Sequence, residues 1–210
     1  MANFNDLVAG YHRFRANGWV NQRERWQKLA DQQNPKIIVI ACSDSRVDPA
    51  QIFDTAPGEI FTVRNVANLV PPFESDAALH GVSAALEFGV TQLNIPEIVI
   101  VGHAKCGGVH ASLSGCFHGT SAGQGYFIDK WMEMIDPERE RIVAEMGQGP
   151  DAALALELET VRVSLRNLRS FPFIREREAD GRLTLHGAYF GIAEGKLQLL
   201  DNKTGAFRPA

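Results

Sequence analysis

The sequence predicts an α/β protein. A central, mostly parallel sheet, about four parallel strands plus an antiparallel edge strand, is flanked by helices and preceded by an N-terminal helical arm. Three observations lead there. The runs Ile37-Ile38-Val39-Ile40 and Ile98-Val99-Ile100-Val101 are apolar at every position, as in strands buried on both faces of a parallel sheet. Helical segments separate successive strand candidates, the alternation that builds parallel sheets. The chain closes on two apolar runs joined by Glu194-Gly195, a short connection that suits an antiparallel edge.

Each element has its own signal. Phe4, Leu7, Val8, Tyr11 and Phe14, then Trp19, Val20, Trp26 and Leu29, recur at helical spacing and predict two helices over residues 3–31, broken near Asn17-Gly18. Gln33-Asn34-Pro35 turns the chain into the first strand. Asp48-Pro49 reads as an N-cap followed by proline at the first helical position. Pro57-Gly58 turns into a second strand, Ile60–Val63. A helix is expected from about Ser75 to Phe88, and the third strand ends at Gly102. Residues 107–170 read as mostly helical, with Ala152–Leu168 the clearest amphipathic stretch. Leu183–Ile192 and Lys196–Leu200 are the late strands. With no repeat, low-complexity segment or linker, residues 1–210 read as one domain, residues 1–32 being its arm.

Composition excludes several classes. Hydrophobic residues make up 45% and charged residues 22% of the 210, so the chain is neither a disordered tail nor a disulfide-stapled mini-scaffold. The net charge is −4, with 21 basic against 25 acidic side chains and no long Lys/Arg cluster, which argues against nucleic acid. The longest apolar runs, Ile37–Cys42 and Ile98–Gly102, are too short to cross a bilayer, so no membrane partner is expected. The N-terminus carries Asp6 and lacks the basic-then-apolar pattern of a signal peptide. The expected location is the cytoplasm, where thiols stay reduced and suit ligands or catalysts better than disulfides.

Chemistry concentrates after two strands. Cys42-Ser43-Asp44-Ser45-Arg46 follows the first; strand alternation would put Cys42, Asp44 and Arg46 on one face. His103-Ala104-Lys105-Cys106-Gly107-Gly108 follows the third, and a turn opening a helix lets His103 and Cys106 reach one point. Cys42, His103 and Cys106 then make a Cys₂His set, three protein ligands with a fourth position for water or substrate, as in catalytic zinc sites. Blander readings stand beside this one. With six histidines and three cysteines, a His-x-x-Cys arises by chance about 0.09 times, so the spacing alone is weak. Cys42 also suits a small buried strand-end residue, Asp44–Arg46 suits a surface ion pair, and Cys42 with His103 suits a nucleophile and its base. The last reading leaves Cys106 unexplained. Cys116 has no partner at ligand spacing and reads as a core or loop residue.

ACSDSRVDP (41–49), PGEIFTVRNVANLVPP (57–72) and GHAKCGG (102–108) together resemble the β-class carbonic anhydrases. The likeness continues through Phe171-Pro172-Phe173-Ile174-Arg175-Glu176 and Gly187-Ala188-Tyr189. The resemblance implies one Zn²⁺ per chain on Cys42, His103 and Cys106, and a catalytic dyad in which Arg46 holds Asp44 away from the metal. It implies reversible hydration of carbon dioxide to bicarbonate and a proton by zinc-bound hydroxide. It also implies a homodimer or higher homo-oligomer, with the arm wrapped over the partner and pockets at the interface. One branch of the family has a Trp where Val39 stands and a Tyr where Phe190 stands, together with an Arg matched by Arg64. With two of those three changed, the chain is more similar to the plant-type branch, whose substrate pocket maps to Gln33, Phe61, Val66, Phe88 and the Gly107 amide. Phe88 replaces a pocket Tyr of that branch and Gln92 a His of its proton route. Two further readings use the same scaffold: hydrolysis of carbon disulfide or carbonyl sulfide, and a non-catalytic zinc-stabilised assembly subunit. The intact Asp44–Arg46 dyad argues against the second.

Overall fold

The computed structural model describes residues 3–76 and 78–210. Among them run β1 (Ile37–Cys42), β2 (Ile60–Asn65), β3 (Glu97–His103), β4 (Thr184–Gly191), β5 (Lys196–Leu200) and β6 (Phe207–Pro209), in the spatial order β2-β1-β3-β4-β5-β6. The first four are parallel; β5 and β6 return antiparallel. The sheet thus has one antiparallel strand more than expected. β6 is Phe207-Arg208-Pro209, with only its first residue apolar and half-buried, so no alternating run announces it.

Contacts divide the chain into two compact units, one ending at Asn34 and one running from Pro35 to Ala210. In the first, α1 (Phe4–Arg13) begins with a reciprocal cap: the Asn3 side chain accepts from the Asn5 and Asp6 amides, and the Asp6 carboxylate accepts from the Asn3 amide. The break expected near Asn17-Gly18 is absent. The helix widens over Phe14–Gly18 and continues into α2 (Trp19–Asn21), and the interruption falls at Gln22 (φ −115°, ψ 24°) before α3 (Arg23–Asp31). Gly18 is there for packing: a Cβ would meet the Phe14 ring at 3.0 Å.

In the second unit α4 (Pro49–Ile52) is capped by the Asp48 side chain, with Pro49 in the first turn as expected. Helix α5 covers only Gly81–Glu87, followed by a wide turn over Phe88–Gln92. The expected start near Ser75 is overturned by local side-chain bonding: Asp76 accepts from the Ala78 amide and pairs with the His80 ring, and residues 74–76 and 78–80 are not helical. Ala77, also inside the expected helix, lies outside the described residues. Then come α6 (Gly107–Ser114), α7 (Tyr126–Met132), α8 (Asp136–Met146), α9 (Pro150–Leu168) and α10 (Pro172–Ala179). No helix among the described residues is long and apolar enough to cross a membrane.

The pleat decides what meets what. Ile38 and Ile40 of β1 join Ile98 and Ile100 of β3 and Leu185 of β4 against Val161, Leu165 and Leu168 of α9. Cys42 continues the β1 row into a second cluster with Cys106, Val109 and Leu156. Helix α9 therefore runs from the general core to the carboxyl end of the sheet. Gly102 lets it come so close, because a Cβ there would meet Val161 Cγ2 at 2.7 Å. Gly102→Ala is expected to lower unfolding stability by about 1–3 kcal/mol, the usual range for overpacking a tight core. A urea titration checks this, and an unchanged midpoint would contradict the close approach.

Candidate metal centre

β1 and β3 are sheet neighbours, with Ala41 opposite Val101, so the loops that follow them leave the same edge of the sheet. Cys42 is the last residue of β1 and His103 the last of β3. After His103 the chain reverses through Lys105, which is left-handed (φ 56°), and Cys106 caps the start of α6. All three side chains are buried, and one ligand atom from each lies within 4.8 Å of the others. The two sulfurs stand 3.9 Å apart. That is far beyond a disulfide bond of about 2.05 Å. Two sulfurs bound to one tetrahedral zinc ion would stand about 3.8 Å apart.

The imidazole is oriented for the same purpose. His103 Nδ1 lies 2.9 Å from the Ala104 carbonyl, which only accepts, so Nδ1 carries the hydrogen. Nε2 keeps its lone pair and is buried without a partner. An orphaned ring nitrogen beside two thiols fits a thiophilic cation. A second group of donors, Glu74, Asp76 and His80, is largely exposed, and its His80 ring is already bonded to Asp76.

Electrostatics set the two thiols apart. The hydrogen bond with Cys106 pulls the Cys42 thiol well down against the opposing effect of burial, and the amides of Asp44 and Ala67 assist. The same sulfur contact, with burial, pushes Cys106 up. A cation held by both sulfurs would offset the charge that this contact and burial otherwise oppose.

Asp44 and Arg46 meet, but not by strand alternation. The chain leaves β1 at Cys42 and turns: the Arg46 amide donates to Asp44 Oδ1 at 2.9 Å and the Val47 amide to the Asp44 carbonyl at 3.2 Å. The guanidinium then donates to both carboxylate oxygens, Nε to Oδ1 at 2.9 Å and Nη2 to Oδ2 at 2.6 Å. That bond holds Asp44 well below the usual carboxylate range, outweighing desolvation. Arg46 Nη2 also donates to the Lys105 carbonyl at 3.0 Å, tying the two ligand loops together.

Several residues that the sequence reading passed over hold these loops. Arg64, noted there only for a different pocket, spends its guanidinium on the Cys42 carbonyl (2.9 Å), the Asp44 carbonyl (2.7 Å) and Asp48 (3.1 Å). Helix α9 presents a buried polar stripe of Glu157, Thr160 and Ser164. Glu157 accepts from the Cys106 amide and the Tyr189 hydroxyl. Thr160 accepts from the Asn68 side chain, and Ser164 donates to the Asn68 carbonyl and accepts from the Val70 amide. The available signal was three polar residues at helical spacing on the apolar side of an otherwise ordinary amphipathic helix.

The expected substrate residues separate. Gly107 opens α6 directly after Cys106. Val66 adjoins the centre: a Cβ on Gly108 would meet its Cγ1 at 2.6 Å, and its carbonyl accepts from Trp131 Nε1 at 2.8 Å. Ala67 next to it is left-handed (φ 61°) and fully buried. Phe61 and Phe88 pack on each other at 6.2 Å. They are not beside the ligands, however. Phe61 pairs with Ile38 whereas Asn65 pairs with Cys42, so Phe61 sits roughly 13 Å back along the strands. Gln33 belongs to the unit that ends at Asn34.

The carbonic anhydrase family model matches residues 37–197. Beta carbonic anhydrase 3 of Arabidopsis thaliana is 38% identical over 203 residues, covering 94% of this chain and 78% of that protein. Among solved structures, the β-carbonic anhydrase CcaA superposes with a TM-score of 0.89 at 29% identity, over 98% of this chain and 91% of that one. A structure described among two tetrameric β-carbonic anhydrases from Sordaria macrospora gives 0.77 at 26% identity, over 98% of both chains.

Burial of the three cysteines differs enough to be counted chemically. Cys116 is exposed, whereas Cys42 and Cys106 are buried. Ellman's reagent is expected to find one fast thiol in the native protein and three after unfolding. Three fast native thiols would contradict the buried pair.

Proposed function

The chain belongs to the β-class carbonic anhydrases, and from that premise we infer that it catalyses the reversible hydration of carbon dioxide to bicarbonate and a proton, with one zinc ion per chain held by Cys42, His103 and Cys106. The observation that carries this reading is the buried Cys-His-Cys cluster beside a doubly bonded Asp44–Arg46 pair. Zinc, when bound, supplies a Lewis acid that makes water a nucleophile near neutral pH.

The chain's own residues do the rest. Arg46 keeps Asp44 ionised and turned towards itself, so Asp44 is an acceptor for the attacking water's hydrogen and leaves a lone pair for the carbon. The Gly107 amide lies in the first turn of α6, where amides lack intrahelical partners, and suits the oxygen that gains negative charge. Val66 supplies apolar wall for a linear, nonpolar gas. Gln92 carries no titratable group, and Phe88 has no hydroxyl, so neither relays the product proton.

A homodimer is part of the proposal, and two features support it. Ile37, Val39, Ile60, Val99, Ala188 and Leu197 line an apolar groove of about 410 Å³ on the sheet face away from α9. Residues 4–20 add exposed Phe4, Leu7, Tyr11 and Val20. A second copy would also account for the distance between Phe61 and the ligands of its own chain. Deleting residues 1–31 is expected to abolish the dimer in analytical ultracentrifugation; a soluble, active monomer would count against it.

Stopped-flow hydration of carbon dioxide, with zinc assayed on the same sample, tests the function. Turnover proportional to zinc content is expected, and a zinc-replete protein without hydration activity would overturn the reading. Small buffers such as imidazole are expected to raise kcat while leaving kcat/KM nearly unchanged, because proton export is the weak step. A kcat that stays flat down to low millimolar buffer would reject that step as limiting.

A further inference from the structure

We propose that Glu157, braced by Tyr189, is the positioning residue for the Cys106 ligand. The inference rests on the zinc reading above and extends it beyond the ligands and the Asp44–Arg46 pair. Glu157 is 6% exposed. Buried glutamates are uncommon unless paired, and no ion pair to it occurs among the described residues. Its two oxygens instead accept from two buried donors, the Cys106 amide at 3.2 Å and the Tyr189 hydroxyl at 2.6 Å. Burial and the bond to Glu157 push the Tyr189 phenol well up, so Tyr189 remains a donor.

The amide that Glu157 holds belongs to one peptide plane, Lys105–Cys106. Arg46 donates to the carbonyl of that plane and Glu157 accepts from its N–H. The plane is thus gripped on opposite edges by a guanidinium and a carboxylate. It links the left-handed Lys105 to Cys106 (φ −66°, ψ 121°), and a rotation of the plane would swing the Cys106 sulfur. Farther along α9, Thr160 and Ser164 hold Asn68, whose neighbour Ala67 is buried in the same cluster as Cys42. One rigid helix therefore holds both the segment after β2 and the Cys106 loop, and Glu157 is its contact with the latter.

The experiment compares Glu157→Gln, Glu157→Leu and Tyr189→Phe in the full-length chain. Zinc affinity is read by chelator competition and ligand geometry by the absorption of the cobalt(II)-loaded protein. Gln keeps an acceptor for the Cys106 amide and a partner for Tyr189, so Glu157→Gln should bind zinc within about threefold of the parent and keep its cobalt spectrum. Glu157→Leu should lose about 10- to 100-fold in affinity, with shifted cobalt bands. Tyr189→Phe, which removes only the brace, should lose about fivefold and decides the matter if the Leu variant does not fold. Parent-like affinity and spectra in folded Glu157→Leu, or in Tyr189→Phe where the Leu variant fails to fold, would overturn the proposal. So would a Gln variant as weak as the Leu variant, because that result assigns the effect to charge rather than position. Cys106→Ser separates the two levels of the argument. If it binds zinc as the parent does, the ligand reading itself is wrong; if it loses zinc while Glu157→Leu does not, only the role of Glu157 falls.

Discussion

Two sulfur atoms 3.9 Å apart in a buried site constrain everything built around them. Their contact pulls the Cys42 thiol down and, with burial, pushes Cys106 up. A cation held by both would offset that charge, and the third donor, His103 Nε2, is a buried lone pair with no other partner. The surrounding structure exists to keep this costly arrangement in register. Arg64 holds the β1 exit by two carbonyls, the stripe on α9 holds Asn68 and the Cys106 amide, and Arg46 spans from one ligand loop to the other.

The same constraint explains the role of Asp44. A carboxylate two residues after a ligand is a natural competitor for the metal. Arg46 occupies both of its oxygens, and the Arg46 amide adds a third bond within the same tight turn. The carboxylate is therefore charged and positioned but already engaged, as a group that orients a water must be.

Much of this was legible in the sequence, for physical reasons that differ between residues. Fully apolar β-branched runs such as Ile37–Ile40 can satisfy themselves only inside a two-sided sheet, so β1 and β3 were readable, and with them the placement of Cys42 and His103. The Asp48 cap and Pro49 followed from local chemistry alone. The Asp44–Arg46 contact was anticipated for the wrong reason: it comes from a turn closed by side-chain bonds, which period-two reasoning cannot contain. The helix expected from Ser75 failed similarly, because Asp76 offers the backbone a competing bond. The stripe of Glu157, Thr160 and Ser164 shows in the sequence as polar residues on an apolar helix face, but what they bond does not, because their partners lie far along the chain. Phe61 packs on Phe88, yet Phe61 sits roughly 13 Å back along the strands from the Cys42 position, since register in the sheet is a tertiary property.

The central claim is that two thiolates and one imidazole from neighbouring strand ends hold a single zinc ion. X-ray absorption at the zinc K-edge of the purified protein near pH 8 measures this most directly. The account predicts two sulfurs at about 2.3 Å, one imidazole nitrogen and one further light atom at about 2.0–2.1 Å around each zinc. A first shell with fewer than two sulfurs, or with no imidazole, would contradict it.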